Sequence, residues 1–74
     1  MDLLSLARVT VPWGRQEIEL QQVDFGAGGR PMMRVRIREG RRFTVLDIDA
    51  ITARDLARAM AEWAEREIGA ATGG

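Results

Sequence analysis

Hydrophobic and polar residues alternate along the first two thirds of the chain. This alternation predicts β-strands, because successive side chains of a strand point to opposite faces of a sheet. The clearest case is residues 32–39, in which apolar residues alternate with three arginines. Glycine, proline and polar residues separate this segment from its neighbours and indicate turns. The four predicted strands are residues 6–11, 16–25, 32–39 and 43–49.

The segments between the predicted strands indicate how the strands are joined. Residues 12–15 contain proline and glycine and predict a four-residue turn. Residues 39–42 have glycine as the first central residue, which suits a type II′ hairpin with a two-residue turn. Within residues 16–25 the alternation changes phase, so we expect a β-bulge near Gln21 and Gln22.

The last third of the chain has the 3.6-residue period of an amphipathic helix. Thr52 is the predicted N-cap, with Asp55 three residues later as its capping-box partner. Gly69 is the predicted end of the helix. The predicted apolar stripe consists of Ala53, Leu56, Ala57, Met60, Trp63 and Ala64.

These elements predict an α+β fold with the order β-β-β-β-α. Short connections make consecutive strands pair antiparallel, so the strands form a meander, and the C-terminal helix is expected to pack on one face. We predict a single domain over residues 1–69 and a disordered tail over residues 70–74. The predicted core consists of Val9, Val11, Ile18, Leu20, Met33, Val35, Ile37, Leu56, Met60 and Trp63.

Composition limits the chemistry that the chain can perform. The 74 residues include no cysteine, histidine, lysine or tyrosine. This excludes a disulfide scaffold, a Cys/His zinc site, a thiol nucleophile and a histidine acid–base pair. Asp47 and Asp49 lack the further oxygen ligands of a calcium loop, and we expect them to favour the helix dipole instead. We therefore predict no enzymatic activity, no cofactor and no metal.

Size and charge point to self-association. A core built from 74 residues stabilises a fold weakly, and small proteins without disulfides or metals often gain stability by forming oligomers. The 11 basic and 11 acidic residues give zero net charge, which does not oppose association. The first residues lack the basic segment of a secretory signal, and no apolar run is long enough to span a membrane. We expect a cytoplasmic protein without membrane contacts.

The turn lengths predict which side chains face each other across the sheet. The turn at 12–15 places Arg8 opposite Glu19, and the loop at 26–31 places Glu19 near Arg36. Opposite charges in such rows stabilise strand pairing. A second predicted row consists of Thr10, Glu17 and Arg38.

The fourth predicted strand carries more large apolar side chains than one face of the sheet can hold. With a two-residue turn before it, Leu46 and Ile48 face the helix, whereas Phe43 and Val45 face the opposite, outer side. A three-residue turn would reverse these orientations. Exposed apolar side chains on an edge strand favour association. We predict a homodimer formed through strand 43–48 and the outer face, with another protein as the alternative partner.

Trp13 lies at the tip of the turn over residues 12–15. It is either a lid on the end of the core or an exposed anchor for a partner, since tryptophan is enriched at interface hot spots. The predicted interface residues are Phe43, Val45 and Trp13.

Single-stranded nucleic-acid binding is the alternative function. Arginines on and beside strand 32–39 would bind phosphates, and Phe43 or Trp13 would stack on a base. Glu17, Glu19 and the zero net charge favour a solvated, ion-paired face instead. The chain resembles a transcriptional-coactivator family that binds single-stranded DNA as a dimer, in element order only. The candidate nucleic-acid contacts are Arg34, Arg36, Arg38, Arg41 and Arg42.

Overall fold

Four antiparallel strands and one helix make up the fold in the computed structural model, which describes residues 1–26 and 28–72. The strands lie in the sheet in chain order, and the helix follows the last of them. The predicted β-β-β-β-α meander is therefore confirmed. The elements are β1 (Asp2–Thr10), β2 (Glu17–Asp24), β3 (Met32–Glu39), β4 (Arg42–Ile48) and α1 (Ala50–Thr72).

The predicted strand pairing is also confirmed. Glu19 lies between Arg8 of β1 and Arg36 of β3. Between β3 and β4, Glu39 pairs with Arg42 across a two-residue turn. Gly40 has a φ of 60°, as the first central residue of a type II′ turn requires.

The predicted bulge lies on a different strand from the one expected. The irregularity falls in β1 between Ser5 and Ala7, which leaves Leu6 without a partner, whereas β2 pairs with β3 without interruption. The change of phase in β2 therefore means that its apolar residues change from one face to the other. Ile18 and Leu20 lie on one face, whereas Val23 lies on the opposite face with Glu19. β1 begins at Asp2, whereas the sequence predicted a start at residue 6. The bulge explains this difference, because it interrupts the alternation by which a strand is recognised in the sequence.

The helix begins earlier than predicted, because Asp49 rather than Thr52 caps it. The Asp49 carboxylate accepts hydrogen bonds from the backbone N–H groups of Ile51 and Thr52 at 3.2 and 3.4 Å. It also accepts one from the Thr52 hydroxyl. The N–H of Ala53 donates to the Asp49 carbonyl oxygen at 2.9 Å, which closes the first helical turn. A single residue therefore separates β4 from α1.

The helix also ends later than predicted. It continues through Gly69 and extends to Thr72, so Gly69 does not terminate it. A glycine inside a helix is tolerated at a cost of about 1 kcal/mol relative to alanine. Of the predicted tail, residues 70–72 belong to the helix, and residues 73–74 lie outside the described residues.

The sheet has two faces of different character, which we name by their residues. The inner face carries the apolar alternation of the central strands, and the outer face carries the charged rows. The inner face consists of an apolar block, Leu4, Leu6, Ala7, Val9, Ile18, Leu20, Met33, Val35, Ile37, Leu46 and Ile48, together with the polar Gln22 and Thr44, and it has Asp2, Asp24, Glu39 and Arg42 at the strand ends. The outer face consists of Leu3, Ser5, Arg8, Thr10, Glu17, Glu19, Gln21, Val23, Met32, Arg34, Arg36, Arg38, Phe43, Val45 and Asp47.

The helix leaves most of the inner face uncovered. The molecule is 52 Å long and 15 Å thick, and a helix of 23 residues is about 34 Å long, so α1 extends beyond the sheet. It approaches the sheet chiefly at β3. The prediction that the helix packs on one face is met only near its N-terminus. The described residues contain no helix with the length and hydrophobicity of a membrane span.

The predicted core is consequently wrong for the single chain. Val9, Leu56, Met60 and Trp63 are exposed, and the other predicted core residues are half-buried. The physical reason is the one-residue connection at Asp49, after which the helix does not turn back across the sheet. Among the described residues, Val23 and Ile48 are the buried hydrophobic side chains.

Candidate functional site

The inner face of the sheet is an apolar surface open to solvent. Its edge strands expose Val9 at 56% and Leu46 at 52%, and the central strands between them are only half-buried. Gln22 and Thr44 are the polar side chains within this face, and its charged side chains lie at the ends of the strands. A contiguous apolar area of this kind is typical of an interaction site.

The helix carries a second apolar surface that is also exposed. Leu56, Met60 and Trp63 lie on one side of α1, and their exposed fractions are 44, 67 and 60%. Leucine, methionine and tryptophan at this spacing form the stripe that a surface helix normally buries against its own protein. The single chain therefore presents two apolar surfaces that do not cover each other.

The two apolar surfaces meet at the start of the helix. Ala50 and Ala53 line a shallow hollow of about 220 Å³ together with Leu6, Gln22 and Met33. Pro31 and Met32 complete its rim. Here the helix lies on the inner-face side of the sheet, and small alanine side chains allow it to approach closely. This is the place where α1 and the sheet come together.

An ion-paired cluster stabilises the outer face. Glu19 is buried, with only 5% of its surface exposed, and it accepts a hydrogen bond of 2.7 Å from the Ser5 hydroxyl. The guanidinium groups of Arg8 and Arg36 lie 3.4 and 3.6 Å from its carboxylate. The Ser5 hydrogen bond and then the two arginines lower the pKa of Glu19, against the opposing effect of burial. The carboxylate therefore stays ionised and holds three strands in register.

A second pair joins β3 to β4 on the same face. Arg34 donates to both carboxylate oxygens of Asp47, at 2.8 and 3.0 Å. This two-bond arrangement is the strongest form of an arginine–carboxylate pair. The hydrogen bond from Arg34 lowers the pKa of Asp47, and the carboxylate in turn raises the pKa of the guanidinium. Asp47 is thus a strand-pairing residue and not the helix-dipole partner predicted from the sequence.

The predicted interface residues are exposed, but they do not form one patch. Phe43 and Val45 are each half exposed on the outer face, and the Arg36 guanidinium lies 4.2 Å from the centre of the Phe43 ring. Trp13 is 97% exposed at the turn tip, so it does not serve as a lid on the core. The sequence did not identify Leu46 as an interface residue, because its alternation placed it beneath the helix.

The candidate nucleic-acid residues are mostly engaged in ion pairs. Arg34, Arg36 and Arg38 each contact a carboxylate on a neighbouring strand. Arg41 and Arg42, at the β3–β4 turn, make no ion pair within the described residues. The hollow on this face, of about 220 Å³, is lined by both charges and by one aromatic ring: Arg8, Glu17, Glu19, Arg36, Arg38 and Phe43.

Metal-binding clusters are absent from the described part of the chain, where no three acidic side chains lie close enough together to hold an ion. Glu17 and Glu19 point toward arginines, and Asp49 caps the helix. Glu17, Glu19 and Asp49 therefore have structural partners.

Comparisons with known proteins identify one family. No curated protein and no solved structure matches the chain. The matching family model covers residues 2–66, which include the whole sheet and most of α1. The chain therefore belongs to this family, which is described as a family of unknown function, DUF6967.

Proposed function

We propose that this protein is a small, non-enzymatic interaction module that self-associates through β4. The observation that carries the proposal is the exposure of this edge strand on both faces of the sheet. Phe43 and Val45 on the outer face and Leu46 on the inner face are each about half exposed. An edge strand with large apolar side chains on both sides is a surface that association would protect from water.

The weakness of the single-chain core supports the same proposal. Val23 is fully buried and Ile48 nearly so, whereas most other large apolar residues of the described chain are partly or fully accessible. Burial of apolar surface is the main favourable contribution to folding. A second copy that covers the remaining apolar surface would supply the contribution that the single chain lacks.

Size-exclusion chromatography with light scattering tests the proposal. We expect a mass of twice the chain mass of 8.3 kDa at micromolar concentrations. A strict monomer up to millimolar concentration would overturn it.

Single-stranded nucleic-acid binding has weaker support. Arg41 lies in the β3–β4 turn and Phe43 on the outer face beside it, which would suit a phosphate and a base, whereas Arg42 lies on the opposite face of the sheet. The three strand arginines beside them are paired with acids. Fluorescence anisotropy with a labelled oligonucleotide at low salt tests this alternative. Binding that weakens steeply with salt would support it, and absence of binding at low salt would exclude it.

A further inference from the structure

We propose that in the self-associated protein the helix α1 of each copy lies across the inner face of the other copy. This inference rests on the proposed function and specifies its geometry. The occupant of the open inner face is thus a second copy of this chain, and the contact occurs twice in one two-fold dimer. Two such contacts bury both apolar surfaces that the single chain leaves open.

The connection between sheet and helix explains why the helix does not cover its own sheet. β4 ends at Ile48 and α1 begins at Ala50, so Asp49 alone joins them. Its carboxylate and carbonyl oxygens are all engaged in starting the helix. Ala50 and Ala53 line the hollow at the inner face, beside Leu6 and Met33. A helix held in this way projects from the sheet and presents its apolar stripe beyond the edge of its own chain.

The two surfaces match in chemistry and in length. The helix stripe between Ala53 and Ala64 is about 18 Å long at 1.5 Å per residue. On β3 the apolar residues of the inner face extend from Met33 to Ile37, which is about 17 Å at 3.3 Å per residue. Both surfaces are mainly apolar, and the charged residues between Ala53 and Ala64 lie on the opposite side of the helix, whereas Glu67 follows on the apolar side one turn beyond the stripe. A docked helix would therefore bury no charge at the centre of the contact.

The area available is sufficient for a stable dimer. A half-exposed large side chain leaves about 100 Å² accessible, so seven of them provide roughly 700 Å² per copy, or about 1,400 Å² for two copies. Stable protein interfaces bury about 1,200–2,000 Å² in total. An unrelated partner is less well suited, because this chain itself supplies both the helix and the face. The seven side chains are Leu4, Leu6, Val9, Leu46, Leu56, Met60 and Trp63.

Cross-linking between two differently labelled chains tests the inference, because the natural sequence contains no cysteine. One preparation carries Met60→Cys on the helix stripe, and the other carries Val35→Cys at the centre of the inner face. They are mixed, allowed to exchange and treated with a short bismaleimide. Leu20→Cys and Leu46→Cys replace Val35→Cys in parallel mixtures, so that the result does not depend on one alignment. Glu62→Cys on the charged helix face is the matched control for Met60→Cys.

We expect at least one of these mixtures to give ten-fold more mixed dimer with Met60→Cys than with Glu62→Cys. Efficient cross-linking within one chain of a Met60→Cys, Val35→Cys double variant that stays monomeric would overturn the inference. A dimer by light scattering without mixed cross-links would also overturn it, while leaving the proposed self-association intact. Absence of any dimer would overturn both.

The fluorescence of Trp63 provides a second measurement, which requires replacement of Trp13 outside the contact surface. In a Trp13→Phe variant, Trp63 is the remaining tryptophan, and we expect its emission to shift to shorter wavelength and its quenching by acrylamide to fall in the dimer. In a Trp63→Phe variant, the exposed Trp13 should keep the emission of a solvated indole. A dimer in which Trp63 is quenched as readily as Trp13 would contradict helix exchange.

Discussion

Replacement of Leu46 by alanine should weaken the dimer strongly while leaving the sheet intact. Leu46 is 52% exposed on the inner face of the edge strand β4, so the single chain gains little from its side chain. In the proposed dimer the helix of the other copy would cover this exposed surface. The substitution therefore acts mainly on association and not on folding of the sheet.

The expected effect can be worked out from the exposed surface. The accessible part of Leu46 is about 100 Å², and alanine removes most of it, which corresponds to about 1.5 kcal/mol at 25 cal/mol per Å². In a two-fold dimer the substitution is present in both copies, so the loss is about 3 kcal/mol. Since 1.4 kcal/mol is a factor of ten, the dissociation constant should rise about a hundredfold.

Sedimentation equilibrium of the wild type and of two matched variants measures this effect. Val45→Ala distinguishes the two faces of β4, because Val45 lies on the same strand with 50% exposure but on the outer face, which helix exchange across the inner face leaves uncovered. We expect less than about a threefold change for Val45→Ala. A larger effect for Val45→Ala than for Leu46→Ala would refute the assignment of the inner face and would favour the outer-face dimer predicted from the sequence.

Three further predictions concern the stability of the chain itself. The pKa values of Glu19, Asp47 and Asp49 are lowered in the folded protein. Their contribution to the free energy of unfolding is therefore complete above the unfolded pKa of about 4 and is lost as pH falls through the lower folded values. Urea titrations from pH 7 to pH 2 should show a free energy of unfolding that is constant above about pH 5 and falls below it. The fall should be less steep in Glu19→Gln. A decline that begins above pH 6 would show that these carboxylates are not its cause. Asp49→Ala should reduce the helical circular dichroism signal because the first turn loses its cap, whereas Asp49→Asn should retain most of it, and equal losses would show that the cap is unimportant. Gly40→Ala should lower the free energy of unfolding by about 1 kcal/mol and the melting temperature by about 5 °C, because Gly40 has a φ of 60°. Gly40→Asn should lower the free energy of unfolding by less. An unchanged melting temperature for Gly40→Ala would argue against this turn.

The strand order and register could be predicted from the sequence because short turns leave few alternatives. The glycine at position 40 and the four-residue turn before β2 determined the partners of Glu19 and of Phe43, and the structure confirms both. The alternation of charged and apolar residues then predicted which rows of side chains lie on the charged outer face and which lie on the inner face. These features depend on neighbouring strands, where local patterns carry most of the information.

The position of the helix could not be predicted in the same way. Its stripe of Leu56, Met60 and Trp63 indicated a surface that must be buried, but a stripe does not show which sheet buries it. The decisive feature is Asp49, whose capping role shortens the connection to a single residue. Thr52 and Asp55 have the spacing of a capping box, and this pattern led to the prediction that the helix begins after Thr52 rather than after Asp49. The residues of the predicted core are therefore only half-buried or exposed in the single chain.

The bulge in β1 had a similar effect on the prediction of the sheet. Leu3, Leu4 and Leu6 do not alternate with polar residues, so the sequence indicated a strand only from residue 6 onward. The extra residue at Leu6 turns Leu4 and Leu6 to the inner face while Leu3 lies on the outer face beside Val23. Periodicity alone cannot detect such a strand, because a bulge interrupts the period of two.

Thermal unfolding at several protein concentrations tests most directly whether a second copy completes this fold. If folding and association are coupled, the melting temperature rises with protein concentration. With an unfolding enthalpy of about 0.7 kcal/mol per residue summed over two chains, a hundredfold increase in concentration should raise it by about 10 °C. A cooperative transition at the same temperature over that range would show that one chain is stable with its inner face exposed, and would contradict the account.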